Sequence, residues 1–263
     1  MIGTAIAAAL LLLSQATLAE RAVPFEGDWR IAAAGSHFDI TFRTAGPGDL
    51  ERIAGTAERA YGQISSRFKH ELPFRPLIVV YRTGAELAHA RATRTFPGNR
   101  EHMLWALDMP VPQADGQFLH ELTHVFVFDI VPPGVRAIPA WLHEGLAERQ
   151  RGEWAETDRE VVRARLRQGT LPSPVGLPPN AADDGRLETI VGHLAVDLLA
   201  ARAGEDAPLR LLARLRTGAV DPFDAYLDLA GLARADFERA FADYAERQFP
   251  RAALAMRETN PAQ

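Results

Sequence analysis

The sequence predicts an α+β protein, in which a small N-terminal mixed β-sheet with packed helices precedes a mainly helical C-terminal lobe. Three observations predict it. Strand patterning is confined to the first half of the chain, where His37–Arg43 alternates apolar and polar residues and Leu77–Tyr81 is an unbroken apolar run. Beyond Asp115 apolar residues recur at helical spacing through almost every segment, and Pro- and Gly-rich stretches punctuate the series.

The chain opens with an apolar run, Ala5–Leu13, followed by Thr17 and Ala19, small residues that suit signal peptidase. Cleavage after Ala19 and export to a periplasmic or extracellular compartment are expected. The run is short for a bilayer span, so no stable membrane span is expected once the signal is removed. After the first strand, Gly46-Pro47-Gly48 turns the chain, and Leu50, Ile53, Ala57, Tyr61, Ile64 and Phe68 mark an amphipathic helix capped by Asp49. Leu77–Tyr81 then suggests a βαβ crossover with that helix packed on the sheet. A short helix is expected over residues 84–94, and a last strand over Glu101–Asp108.

The next segment carries the chemistry. Phe118-Leu119-His120-Glu121-Leu122-Thr123-His124 reads as a buried helix that starts at Asp115 as N-cap and is ended by Pro132-Pro133-Gly134. Positions four apart stack on a helix, so His120 and His124 can hold one metal ion between them, with Glu121 beside them. Trp141–Glu148 is a second short helix able to fold back across the first. A catalytic zinc site takes three protein ligands and one open position, and Glu144 completes a His, His, Glu set. His143 is its rival, because neighbours on a helix point about 100° apart and only one can face the metal. Glu148, one turn on, can accept a hydrogen bond from the second ring nitrogen of a ligand histidine, most simply His120.

His120-Glu-Leu-Thr-His124 followed by Trp141-Leu-His-Glu144-Gly-Leu-Ala-Glu148 resembles the gluzincin metallopeptidases, most closely the bacterial peptidase MA-like domains. Their second motif reads Trp-Leu-Asn-Glu-Gly-Leu-Ala-Glu-Tyr. The paired motifs span about thirty residues. His143 stands in place of the usual Asn, and Arg149 in place of the Tyr. The resemblance implies a zincin-like fold with the active-site cleft between the two lobes, Glu144 rather than His143 as third ligand, Zn²⁺ as cofactor and Glu121 as general base. It also implies that the strand at 101–108 pairs with an extended substrate. The third histidine of the metzincins is excluded, since Val127 and Ile130 occupy the positions of its Gly and His.

Residues 151–168 read as a charged surface helix, and residues 171–185, with five Pro and Asn residues, as a loop. Leu187–Ala203 resumes a helix, and residues 210–215, 221–229 and 235–249 are closing helices. Gluzincins place a Tyr or His in this lobe to hydrogen-bond the oxyanion. The helix at 187–203 has no Tyr, and the resemblance therefore points to His193. The chain divides into a signal peptide at 1–19, an N-terminal α/β lobe at 20–134, a helical lobe at 135–250 carrying the Glu ligand, and a tail at 251–263.

With no cysteine among 263 residues, neither disulfides nor thiolate ligands contribute. A net charge of −5 speaks against nucleic acid as a partner. Peptide or protein is the expected substrate. An aminopeptidase would carry a Gly-x-Met-Glu-Asn type of segment, and its absence directs the expectation to an endopeptidase. The residues leave two other functions open: a zinc-containing envelope binding or scaffolding protein without turnover, and hydrolysis of a non-peptide or cell-wall amide.

Overall fold

The computed structural model describes residues 29–43, 45–93, 102–108, 111–131, 138–152, 154–175, 177 and 185–250. The expected signal peptide at 1–19, the tail at 251–263, and the Pro132-Pro133-Gly134 turn lie outside them. The chain forms two compact units. One runs to Glu58 and includes Phe74–Ala114; the other takes Arg59–Pro73 and everything from Asp115.

The first unit is built on β1 (Arg30–Ala34), β2 (Phe38–Phe42), β3 (Leu77–Tyr81) and β4 (His102–Ala106), hydrogen-bonded in that order. β1 runs antiparallel to β2, whereas β2, β3 and β4 are parallel. Parallel neighbours need long connections. Helix α1 (Pro47–Phe68) links β2 to β3, and α2 (Gly84–Thr93) links β3 to β4. Every residue of β2 and β3 is buried, as expected of strands covered on both faces. β4 lies at the sheet edge. A cluster of Leu77, Val79, Tyr81, Leu87, Ala90 and Ala106, with Trp29 and Leu104 packed against it, joins the sheet to α2.

β1 is absent from the sequence-based expectation. Its Arg-Ile-Ala-Ala-Ala run lacks the β-branched alternation that marks a strand, and pairing with β2 from Arg30↔Phe42 to Ala34↔Phe38 supplies the conformation instead. The β1–β2 turn places Gly35 at φ 66°, and a Cβ there would run into the side chain of Glu58. Glu58 closes this turn by accepting from the His37 backbone N–H at 2.8 Å while its other oxygen lies 2.6 Å from His37 Nδ1.

The second unit is helical: the greater part of α3 (Val111–Ile130), then α4 (Ala140–Arg151), α5 (Glu156–Gln168), α6 (Gly185–Ala203), α7 (Ala207–Leu215), α8 (Pro222–Ala230), a 3₁₀ turn (Arg234–Asp236) and α9 (Phe237–Gln248). The α+β class is thus as the sequence predicts. Asp115 is not an N-cap. Helix α3 begins four residues earlier, at Val111, with Pro112 in the first turn where its missing N–H is not needed, and Asp115 instead faces Arg59 at 3.5 Å. Helix α8 has the cap its sequence calls for, Asp221 accepting from the backbone N–H groups of Phe223 and Asp224. Tyr226, fully buried among Trp141, Phe223 and Phe237, donates its hydroxyl to the Ala195 carbonyl at 2.7 Å and so fixes α8 on α6. Among the described residues no helix is long and apolar enough to cross a membrane.

Candidate metal centre

The site is built on α3, α4 and α6, and its residues all belong to the second unit. Phe118, Leu122, Val125 and Phe126 of α3 are buried. The ring of Phe126 packs edge-on against Tyr61 at 5.3 Å and against Phe68 at 6.1 Å. Burial of four such side chains is worth about 2 kcal/mol each, which fixes the rotation of α3 about its axis. His120, Glu121 and His124 then share the remaining face.

Helix α4 is held by α6 through two glycines. A Cβ on Gly145 would collide with the backbone of Gly192, and one on Gly192 would collide with the Trp141 carbonyl. Neither glycine has an unusual φ, so the requirement is closeness of approach rather than backbone freedom. This crossing sets Thr189 of α6 beside Glu144, with its hydroxyl 3.5 Å from Glu144 Oε2.

Three ligand groups converge. His120 Nε2 and His124 Nε2 are 3.0 Å apart, Glu144 Oε2 is 3.5 Å from the first, and Glu144 Oε1 is 3.7 Å from the second. Zinc bonds of about 2.0–2.1 Å in tetrahedral geometry require ligand atoms about 3.3 Å apart, and the observed spacings bracket that value. Two imidazoles and a carboxylate are a donor set that metal ions take, and this group could hold one. No other such group occurs among the described residues.

The electrostatics of the three groups differ. Burial, with His143 and His120 nearby, pushes the His124 imidazole down to about 2, so that it is neutral at any working pH. Burial also disfavours the His120 imidazolium, but Glu148, whose Oε1 lies 2.8 Å from Nδ1, and the charges of Glu121 and Glu144 outweigh it and raise its pKa. In the neutral ring, the carboxylate beside Nδ1 favours a proton there, which leaves Nε2 facing the other two groups. Burial raises Glu144, and the neighbouring Glu121, Glu148 and Glu188 add to the effect against the pull of His120. In Glu148 the burial cost is outweighed by the His120 hydrogen bond, by His120's charge and by Arg151, so its carboxyl sits below the usual range.

Glu121 is not one of the three converging groups. The side-chain amide of Gln117, one turn earlier, donates to its Oε1 at 2.6 Å. His143 is not among the converging groups: its ring stacks on that of His124 with centroids 4.2 Å apart and also lies against Phe128. His193 is buried, with its ring stacked on Trp154 at 4.1 Å and its Nε2 3.5 Å from Asp197 Oδ2. Burial lowers its pKa against the opposing charges of Asp197 and Glu148. Trp154 donates its indole N–H to the same Asp197 oxygen at 3.2 Å, and Arg149 pairs with the other.

Four contributors escape a reading of the sequence: Gln117, Thr189, Gly192 and Arg151. Arg151 lies across Gly116 of α3 and reaches Glu148 Oε1 at 3.3 Å. Only Gln117 leaves a usable signal, because four residues separate it from Glu121. Comparison with protein-family models, with curated proteins and with solved structures gives no match.

Proposed function

We propose that this chain is an exported, zincin-like zinc metallopeptidase of the gluzincin kind, an endopeptidase whose substrate is peptide or protein. The observation that carries the reading is the convergence of His120, His124 and Glu144 within 3.0–3.7 Å beside a carboxylate, Glu121, that is not among the converging groups. A site meant only to hold a metal has no need of that extra carboxylate at its side.

His120, His124 and Glu144 would hold the ion. Zinc in such a site supplies Lewis acidity, lowering the pKa of water from about 15.7 to near 7 and polarising a carbonyl. Glu121 takes a proton from the attacking water onto its carboxylate and returns it to the leaving amine nitrogen. Glu148 keeps the Nδ1 proton of His120 in place, which leaves Nε2 as the ligand atom. In this reading His193, whose ring stacks on Trp154 and whose Nε2 lies 3.5 Å from Asp197 Oδ2, is the candidate to stabilise the oxyanion. Export rests on the Ala5–Leu13 run and the small residues before Glu20.

The test is cleavage of a diverse peptide mixture, read by mass spectrometry, for the zinc-loaded mature protein and for Glu121→Gln. Internal cuts by the parent, none by the variant and one zinc per chain in both are expected. Identical peptide profiles, with zinc bound in both proteins, would overturn the peptidase reading in favour of a binding protein or a non-peptide substrate.

A further inference from the structure

We propose that Gln117 is the positioning residue of Glu121, its amide holding one carboxylate oxygen so that the other stays aimed at the reacting water. The inference rests on the reading of Glu121 as the base. Gln117 and Glu121 lie one turn apart on α3, both half-buried, with Gln117 Nε2 2.6 Å from Glu121 Oε1. Residues four apart stack on a helix face, so the pairing is built into the backbone and needs no other element to bring it about.

The chemistry of the donor matters. A Glu side chain has three rotatable bonds, and on an open helix face its carboxylate samples several staggered rotamers. Fixing one oxygen selects a single orientation. A Lys or Arg at position 117 would fix it too, but would draw the carboxylate's negative charge towards a cation. The neutral amide of Gln orients the group and leaves its charge for the proton it is to receive. An Asn at the same position is one methylene shorter and would not span the turn.

A misplacement of about 1 Å in a reacting group costs up to about a hundredfold in rate. Gln117→Leu should therefore lower kcat by about tenfold to a hundredfold, while KM, melting temperature and zinc stoichiometry stay unchanged. Gln117→Glu preserves the size of the side chain but removes the donor and sets a second carboxylate against the first. It should lose at least as much. A purely structural residue would move the melting temperature and KM and would tolerate this isosteric change.

A second readout needs no turnover. In ¹⁵N-labelled mature protein the Gln117 side-chain amide, assigned by its loss in Gln117→Leu, should exchange slowly and shift to a free-amide position in Glu121→Ala. A free-amide resonance in the parent, or unchanged kcat in either Gln117 variant beside an inactive Glu121→Gln, overturns the proposal. Activity that survives Glu121→Gln, or a parent that cleaves nothing, overturns the reading of the base itself, and the amide resonance still decides whether Gln117 holds Glu121.

Discussion

Replacing Glu148 by Leu removes the acceptor 2.8 Å from His120 Nδ1 and leaves that buried ring without the carboxylate that fixes its tautomer. Two costs follow. A buried imidazole N–H deprived of its partner costs about 1–3 kcal/mol. Loss of an outer carboxylate from a metal-ligating histidine costs about tenfold to a hundredfold in metal affinity, which is about 1.4–2.7 kcal/mol. The first weakens the fold and the second the hold on the metal: without the acceptor, the Nδ1 tautomer no longer has the advantage, and part of the ring population presents a protonated Nε2 to the metal. Glu148→Gln separates charge from hydrogen bonding, since its amide oxygen can still accept from Nδ1. It should lose about tenfold and Glu148→Leu nearer a hundredfold. Competition with a chromophoric chelator at neutral pH measures both, with Glu121→Gln as the control whose zinc affinity should match the parent. Unchanged zinc affinity in Glu148→Leu would refute the argument, and with it the assignment of His120 Nε2 as a ligand atom.

Two further predictions follow from the packing and the charges. Gly192→Ala forces a methyl group against the Trp141 carbonyl, and the separation of α4 from α6 should cost about 3 kcal/mol, a fall on the order of 10 °C in melting temperature. Zinc affinity should fall with it, since Glu144 rides on α4; a thermal melt and a chelator titration check both. At the β1–β2 turn burial disfavours the Glu58 carboxylate, but the His37 hydrogen bonds outweigh it, and the folded-state pKa is lower than the unfolded one. Its contribution is therefore present above the unfolded value of about 4.3 and is lost as pH falls through the folded value. Glu58→Gln should be about 1 kcal/mol less stable than the parent at neutral pH and equal to it in acid, which urea unfolding at the two pH values will show.

The His120–Glu121–His124 spacing is legible because a helix offers few ways for two side chains to grip one atom, and four residues apart is the commonest of them. Glu144 is legible for a different reason. Nothing in its spacing to His124 singles it out from His143, and the surrounding Trp141–Glu148 pattern had to choose. The structure supplies the physical ground: Gly145 faces Gly192 and so fixes the rotation of α4, which turns Glu144 to the ligand atoms and sends the neighbouring His143 ring onto His124. What the sequence left unread is of another kind. Thr189, Gly192 and Arg151 reach the site only because α6 crosses α4 closely and because Gly116 leaves α3 bare enough for an arginine to lie across it. A glycine in a helical run ordinarily reads as a weak point, and only the neighbouring helix reveals it as a place of contact. β1 belongs with these, an alanine run made a strand by its partner. His193 is of a mixed kind: its place on the helix can be read along the chain, but the indole stacked on it and the carboxylate facing it cannot. Chemistry that demands a side chain at a fixed spacing can be read along the chain, whereas chemistry that demands only a close approach must wait for the fold.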